Sequence, residues 1–376
     1  MKIALIGTDY STSEERKKTN GYGGVTYYRL IAPMLNLKEH EFTYHGADLI
    51  KEAEGKTTEK FWDDFIKRYD MFVVKHIDNA EAASNLIFFC QRYRKPLILD
   101  LDDNLFEIKS DQPAYELYKP GSEKRAIVSA LLSFVDGLFV STQPLADYYE
   151  KYLKDTYGIK KPIFVLPNYN EKEIWNFKPV EKNPNKITVG WMGSTTHYND
   201  LKIVLPAMQR LLKEYPNLEF CLMGGVSHED APQFFEGFDD SVLDRVYVAG
   251  GTTNFAEYPK ALSEQVFDIG IAPLTNDEFN RGKSWIKWME YACYGIPCIA
   301  SKVNPYFRKS LGQDAIVDGK TGFIATDKQW YEKIKRLIDD KDLRETIGKQ
   351  AQEYVFNELQ YKDHQHLWVE ALSKFI

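Results

Sequence analysis

The stretch Phe279–Ser301, FNRGKSWIKWMEYACYGIPCIAS, decides the fold that we predict for this chain of 376 residues. It reads as a loop, a helix in which one acid, Glu290, stands among apolar residues, and a turn at 295–297. A short apolar strand, 298–300, closes it. Four polar or basic residues lie at the predicted helix start: Arg281, Lys283, Ser284 and Lys287. The stretch is therefore one helix–turn–strand unit with a positively charged entrance.

The entrance of this helix suits an anion, because the free backbone N–H groups and the helix dipole both favour negative charge. Glu290 lies seven residues after Lys283 and three after Lys287, and this spacing predicts that all three share one helical face. Our hypothesis is that this face binds a nucleotide diphosphate and that the acid accepts a sugar hydroxyl. The alternative is a surface acid paired with Lys287.

Length and composition set the frame for the rest of the chain. A chain of 376 residues is too long for one ordinary core and suits two domains. It is 44% hydrophobic and 27% charged, as in globular proteins, and its net charge of −7 gives no overall reason to bind nucleic acid or an anionic membrane.

The cysteines and the N-terminus bear on the compartment. The four cysteines stand in apolar segments without a CxxC pair, which indicates free thiols in a reducing compartment and argues against zinc. The first residues, MKIALIG, predict a strand and not a signal peptide. No window approaches a membrane span, so we expect a cytoplasmic protein with no integral membrane segment.

The first half of the chain alternates apolar runs with helical patterns. Apolar runs at 2–6, 71–74, 96–101, 137–140 and 163–166 predict strands. Continuous apolar strands alternating with helices indicate a parallel sheet covered on both faces. Ligands bind beyond the carboxyl ends of such strands. Five polar residues fall there: His76, Asp100, Asp102, Asp103 and Ser141.

A glycine-rich segment, Gly21-Tyr22-Gly23-Gly24, precedes the helix predicted over 25–37. A strand, a glycine loop and a helix together bring backbone close to a phosphate. These glycines lie some fourteen residues after the strand and do not have the GxGxxG spacing of dinucleotide-binding proteins. Taken alone, the segment fits a flexible surface loop equally well.

A polar, proline-containing segment at 178–185 predicts an interdomain linker, after which the βα alternation starts again. We therefore predict an α/β protein with two Rossmann-like domains facing each other across a cleft. The N-terminal domain comprises residues 1–178 and the C-terminal domain residues 179–359. The last helix, 360–376, is expected to pack back on the first domain.

The second half resembles the C-terminal half of the retaining group-one glycosyltransferases, which have the GT-B fold. Those enzymes carry an "aD..l.PL…E.yA.G.PviaS" run, and Asp268–Ser301 matches it closely. The N-terminal match is weaker and consists of GYGGVTYYRL at 21–30 and PNYN at 167–170.

The resemblance implies that the C-terminal domain holds a nucleotide-sugar donor. Glu290 matches the acid that accepts the ribose hydroxyls, and residues 282–285 match the loop whose N–H groups meet diphosphate and sugar. The segment 247–252, with Tyr247 and Gly250, falls where the base is read. Gly193 and Ser194, after a predicted strand, offer backbone donors.

On the N-terminal side, the resemblance implies that Gly23 and Gly24 close over the diphosphate and that His76 contacts the transferred sugar. His76 fits a hydrogen-bonded core residue equally well. Asp102 and Asp103 suggest an acceptor-side role. The alternatives for them are a metal site or ordinary turn chemistry, but enzymes of this fold generally need no bound metal.

Two departures from the family pattern concern charge. The family commonly has two glutamates separated by seven residues, and Gly282 stands in place of the first. Its usual Arg–Lys pair is replaced by His197-Tyr198-Asn199-Asp200, with Lys202 just beyond. We therefore expect the positive charge to come from Arg281, Lys283 and Lys287.

The function predicted on this basis is transfer of a sugar from a UDP- or GDP-sugar, with retention of configuration and without a metal or other cofactor. We assign the catalytic roles to His76, Asp102 and Lys283. The alternatives are a nucleotide-sugar epimerase or hydrolase on the same fold, or a non-catalytic scaffold. The acceptor stays open among a glycan, a lipid-linked sugar, teichoic acid, a protein and a modified DNA base.

Overall fold

The computed structural model describes residues 1–7, 22–35, 37–46, 49, 58–112, 114–194, 197–227, 229–252 and 254–376. The polar loop expected before Gly23 lies outside these ranges. Within them, every helix is too short or too polar to span a lipid bilayer.

The first half forms a six-stranded parallel sheet in the order β2-β1-β3-β4-β5-β6. Its strands are β1 Lys2–Gly7, β2 Glu41–His45, β3 Met71–His76, β4 Leu97–Leu101, β5 Gly137–Val140 and β6 Ile163–Val165. Its helices are α1 Gly24–Thr26, α2 Ala32–Leu35, α3 Thr58–Lys67, α4 Ala80–Tyr93, α5 Tyr115–Tyr118, α6 Glu123–Phe134 and α7 Gln143–Tyr157. A π-helical segment, Tyr27–Ile31, joins α1 to α2.

The second half forms another six-stranded parallel sheet, in the order β14-β11-β10-β7-β8-β9. Its strands are β7 Ile187–Met192, β8 Leu218–Met223, β9 Val246–Ala249, β10 Ile269–Ala272, β11 Cys298–Ser301 and β14 Phe323–Ala325. A two-stranded antiparallel hairpin pairs β12 Lys309–Ser310 with β13 Gln313–Asp314.

Ten helices follow β7 among the described residues, and the last of them lies near the end of the chain. They are α8 Tyr198–Leu201, α9 Leu205–Glu214, α10 Ala231–Phe234, α11 Asp240–Leu243, α12 Tyr258–Ser263, α13 Glu278–Arg281, α14 Ile286–Cys293, α15 Trp330–Asp339, α16 Lys341–Glu358 and α17 Tyr361–Ser373. Two parallel sheets with helices between their strands confirm the predicted α/β class with two Rossmann-like units.

The cores follow from the apolar strands. The central strands of both sheets are buried almost throughout, and the helices cover them with apolar faces. The four cysteines lie in these cores as free, buried thiols.

The end of the chain contacts the first sheet. The Tyr361 hydroxyl donates to the carbonyl of Tyr28, and the Phe375 ring lies 5.8 Å from that of Phe164, between ring centroids. Residues 178–185 contain neither helix nor strand. The division of the chain at residue 178 remains our proposal.

Candidate functional site

A cavity of about 500 Å³, here called the first cavity, opens at the carboxyl ends of β7, β8 and β9. Its lining includes Gly193, Ser194, Gly224, Gly225, Tyr258 and Glu290 from the second half. The first half contributes Gly24, the first residue of α1. Three of the predicted donor-binding segments therefore meet in one place.

Aromatic contacts between the two halves close this cavity on one side. The Tyr27 ring stacks on Phe255 with 4.1 Å between centroids, and the backbone N–H of Phe255 donates to the carbonyl of Tyr22 at 3.0 Å. Gly23 lies directly before α1 and accepts a hydrogen bond from the N–H of Tyr27. The glycine segment thus places the α1–π segment against the second half.

Glycines shape the floor of the first cavity. Gly224 and Gly225 have φ values of +74° and +73°, which residues other than glycine rarely adopt. A Cβ at Gly193 would come within 2.6 Å of Trp191 and 2.8 Å of Lys287 Nζ. The Gly193 N–H itself donates to the carbonyl of Met223 at 3.1 Å. Gly193 therefore lets Trp191 and Lys287 approach the backbone closely, and its N–H is engaged, whereas the sequence had suggested a free backbone donor.

Glu290 lies in α14 and is buried at the cavity wall. One carboxylate oxygen accepts from the Tyr28 hydroxyl at 3.1 Å, and the other accepts from the Tyr258 hydroxyl at 3.0 Å. Burial raises the pKa of Glu290 to about 7, although both hydrogen bonds oppose the shift. Each oxygen retains a lone pair, so a ligand hydroxyl has an acceptor here.

Lys287 lies one turn before Glu290 on α14. Its ammonium donates to the carbonyl of Met192 at 2.8 Å and stands 4.5 Å from the centroid of the Trp191 ring. Burial lowers the pKa of Lys287 to about 8, with a smaller opposing effect from Asp200. Part of the Lys287 side chain reaches solvent. The cation is therefore poised beside Gly193, next to the first cavity.

A buried network behind Lys287 was not foreseen from the sequence. Asp200 accepts hydrogen bonds from His197 Nδ1 at 2.8 Å, from both N–H and hydroxyl of Thr275, and from Asn280 Nδ2 at 3.0 Å. Burial lowers the pKa of His197 to about 3, and Lys287 adds to this effect, so the imidazole is neutral. The segment 197–200, which stands where the family commonly has an Arg–Lys pair, is thus hydrogen-bonded to the loop after β10.

The expectation that Lys283 shares a helical face with Lys287 and Glu290 is wrong, because α14 begins only at Ile286. Lys283 lies in the loop between α13 and α14. Its ammonium stands 3.2 Å from Asp103 of the first half. Ser284 accepts from Asn168 Nδ2 at 2.8 Å, again across the two halves.

The three acids at the end of β4 each pair with a different cation. Asp100 pairs with the buried Arg29 at 2.7 Å and Asp102 with Lys75 at 2.5 Å, while Asp103 takes Lys283. Burial opposes ionisation of Asp102, but Lys75 outweighs it and holds the pKa of Asp102 below its ordinary value. Among the described residues, no group of three or more His, Cys, Asp or Glu side chains is placed to hold a metal ion.

Three further predicted residues stand apart from this cluster, and the side chain of a fourth, His76, is not described. Arg281 is exposed and contacts Asn276 and Glu278. Tyr247, in β9, and Gly250, just after it, line neither the first cavity nor the second cavity described below. His76 ends β3, and its side chain lies outside the described part of the structure.

A second cavity, of about 190 Å³, lies between the ends of β5 and β6 and the β12–β13 hairpin. Lys283 and Ser284 line it together with Thr142, Asn168, Arg308 and Lys309. The loop before α14 therefore separates the two cavities: Glu290 lines one, and Lys283 lines the other.

Comparison with known proteins shows which family the second half of the chain resembles. Residues 186–340 match the family model described as Glycosyl transferases group 1. None of the curated proteins compared with the chain matched it. The matched segment spans the second sheet almost completely.

Solved structures share the fold at low sequence identity. Anabaena Alr3699/HepE in complex with UDP-glucose is 14% identical, with a TM-score of 0.63 and coverage of 100% of both chains. A glycosyltransferase from Rickettsia africae is 12% identical, with a TM-score of 0.62 and coverage of 100% and 98%. A mutant of S. aureus TarM in complex with fondaparinux, alpha-GlcNAc-glycerol and UDP is 13% identical, with a TM-score of 0.57. The match covers 82% of this chain and 58% of the TarM chain, so the chain spans little more than half of that protein.

Residues 186–340 are therefore similar to the group 1 glycosyl transferases, the family that the motif in Asp268–Ser301 had suggested. The solved structures show that the whole chain shares the GT-B fold.

Proposed function

We propose that this protein is a glycosyltransferase that moves a sugar from a UDP-sugar to an acceptor hydroxyl, with retention of configuration and without a metal. The observation that carries the proposal is Glu290, buried at the wall of the first cavity with Tyr28 and Tyr258 on its two oxygens. A carboxylate fixed in this way presents its remaining lone pairs in one direction. It suits the paired hydroxyls of a ribose.

The departing diphosphate needs positive charge and space, and Lys287 with the glycine floor supplies both. Lys287 Nζ stands where a Cβ on Gly193 would collide with it, so an anion over Gly193 lies within its reach. Preorganised cations and N–H groups stabilise such a leaving group without a metal. In the reaction, the bond between sugar C1 and the diphosphate oxygen breaks and the acceptor oxygen bonds to C1. The hydroxyl proton passes to the departing diphosphate.

His76, Asp102 and Lys283 complete the proposed machinery on the acceptor side. The ion pair with Lys75 keeps Asp102 charged, which suits holding the acceptor by hydrogen bonds better than abstracting its proton. Lys283, bonded to Asp103, lines the second cavity. We therefore place its charge on the acceptor side of the site.

The choice of UDP is supported by the solved relatives, of which HepE was crystallised with UDP-glucose and TarM with UDP. For the acceptor, we keep the classes that the sequence analysis left open: a glycan, a lipid-linked sugar, teichoic acid, a protein or a modified DNA base. We also keep a reducing, cytoplasmic location in the proposal, on the ground of the four free thiols.

Two experiments test the proposal in sequence. The first is a thermal-shift panel with UDP, GDP, ADP and TDP, in which a ligand at a hundred times its dissociation constant adds about 2.7 kcal/mol. We expect a shift with UDP, its loss in Glu290→Gln, and its retention in Glu353→Gln, an exposed glutamate on α16. No shift with any of the four would refute the donor assignment.

The second experiment separates transfer from its alternatives. UDP-sugars are incubated with the protein and acceptor extracts, and products are read by mass spectrometry. We expect a sugar-bearing acceptor whose amount falls in Asp102→Asn while the UDP shift persists. Free sugar or an epimerised nucleotide as the main product would instead identify a hydrolase or an epimerase.

A further inference from the structure

The second cavity carries an excess of positive charge that donor binding does not use. Its charged lining comprises Lys283, Arg308, Lys309 and a single acid, Asp147. The acid is engaged, because Asp147 accepts a hydrogen bond from Gln143 Nε2 at 2.7 Å. Three cations and one acid therefore line the cavity, and because Lys283 is already paired with Asp103, Arg308 and Lys309 are the cations left for a ligand.

Two of these cations belong to the segment that leads into and forms β12. Arg308 is exposed and forms no ion pair with any described residue, and its guanidinium lies 5.4 Å from the Phe307 ring centroid. Lys309 stands 3.6 Å from Asp314 across the hairpin, and both side chains are largely exposed. An exposed pair of this kind is weak and releases its cation readily.

A hydroxyl in the same lining lacks a partner. Ser310 Oγ is buried and makes no hydrogen bond within the described residues. A buried hydroxyl without a partner is costly unless a ligand or water satisfies it. With Arg308 and Lys309 directly before it in the chain, Ser310 completes a set of donors for the oxygens of an anion.

The volume of the cavity agrees with a small charged group. About 190 Å³ is well above the ~10–15 Å³ that one water requires. The cavity also borders the site proposed for transfer, since Lys283 and Ser284 line it. A group bound here belongs to a molecule that reaches the acceptor side of the cleft.

We propose that the second cavity binds a phosphate group of the acceptor, held by Arg308, Lys309 and Ser310. The inference rests on the proposed function, because it names the class of acceptor for the same cleft. The phosphate is a handle and is not altered: the sugar is transferred to a hydroxyl elsewhere on the same acceptor. The phosphate can come from a soluble phosphorylated glycan or from a lipid headgroup.

Calorimetric titration of the full chain with saturating UDP present tests this site. The probes are glucose 6-phosphate and, as its neutral counterpart, glucose. We expect the phosphorylated sugar to bind at least tenfold more tightly, and Arg308→Gln to weaken its binding about tenfold, as loss of a charge-assisted hydrogen bond implies. Added salt should also weaken the binding of glucose 6-phosphate to the wild type.

Lys302→Gln is the matched control, because Lys302 is exposed, lies six residues before Arg308 and lines neither cavity. It removes the same charge and should leave the affinity for glucose 6-phosphate unchanged. Equal effects of the two substitutions would show general electrostatics and overturn the site. Equal binding of glucose and glucose 6-phosphate by the wild type would overturn it as well.

Vesicles distinguish the two sources of phosphate. If sedimentation with phosphatidylglycerol vesicles, but not phosphatidylcholine vesicles, depends on Arg308 while glucose 6-phosphate fails to bind, the phosphate is a lipid headgroup and the site stands. Binding of neither probe overturns the inference. A wild type that binds glucose 6-phosphate but gives no thermal shift with UDP refutes the donor assignment and leaves the phosphate site intact.

Discussion

The two cavities differ in how their charges are held. Around the first cavity, Glu290 is buried and Lys287 half-buried, and both are bonded to neighbours and shifted in pKa. In the second cavity, Arg308 and Lys309 are exposed, and of the two only Lys309 has an ion pair with a described residue, the exposed pair with Asp314. The first arrangement fixes geometry in advance, as expected where charge develops during a reaction. The second adapts to a ligand and suits recognition of a flexible acceptor.

The largest effect should come from the network that supports the first cavity. Asp200→Ala leaves His197 Nδ1 and the Thr275 N–H without their acceptor, at about 1–3 kcal/mol for each, whereas Asn280 keeps the Thr275 hydroxyl as an acceptor. We therefore expect the free energy of unfolding to fall by at least about 2 kcal/mol in urea denaturation. Asp244→Ala, at an exposed aspartate, is the control. A loss below about 1 kcal/mol would mean that the network is not preorganised.

The next-largest effect should distinguish Lys287 from Arg281, two cations to which the sequence analysis gave the same role. Lys287→Gln should weaken UDP binding about tenfold or more, because its ammonium stands beside Gly193. Arg281→Gln should change it less than twofold, since Arg281 is exposed and pairs with Glu278. Calorimetric dissociation constants check both. The reverse order would place the diphosphate at α13 and contradict the site as described.

Glu290 should also make stability depend on pH. Its folded pKa of about 7 exceeds the ordinary 4.5, so its contribution is fully present below pH 4.5 and is lost as the pH rises through 7. Without nucleotide, Glu290 should therefore lower the melting temperature between about pH 5 and 7, while His197, whose folded pKa is about 3, raises it up to about pH 6.5. Glu290→Gln removes the first contribution, so the melting temperature of the variant should rise relative to that of the wild type as the pH increases. An unchanged slope in the variant would show that Glu290 ionises normally.

The smallest expected effect concerns the β12–β13 hairpin beside the second cavity. Leu311, in the turn of the β12–β13 hairpin, has φ of +49°, a left-handed conformation that costs a leucine roughly 1–2 kcal/mol. Leu311→Asn should raise the free energy of unfolding by up to about 1 kcal/mol, because asparagine tolerates this conformation better. Glucose 6-phosphate binding should persist. Weaker binding would show that the exposed leucine takes part in recognition.

The sequence predicted most of the fold because buried parallel strands are continuous apolar runs. It missed β2, Glu41–His45, a half-buried edge strand with mixed residues, and α3, Thr58–Lys67, whose apolar positions are interrupted by charges. The predicted start of α14 was too early, and this error placed Lys283 on the wrong face.

Site residues were predictable where local sequence determines them. Glu290 and the glycines after β7 and β8 follow from a motif and from strand ends. The tyrosines on Glu290 come from α12 and from the π segment of the other half, and no local pattern pairs them with the acid. The same holds for the Asp200 network. Such contacts depend on how the two sheets are placed, and the sequence of one segment does not encode that.

The central claim, that Glu290 receives the ribose of a UDP-sugar, is tested most directly by the affinities for UDP and 2′,3′-dideoxy-UDP in wild type and Glu290→Gln. The account predicts that the wild type binds UDP about tenfold more tightly than the dideoxy compound, and that the variant binds the two with similar affinity. A wild type without this preference, or a variant that keeps it, would contradict the account.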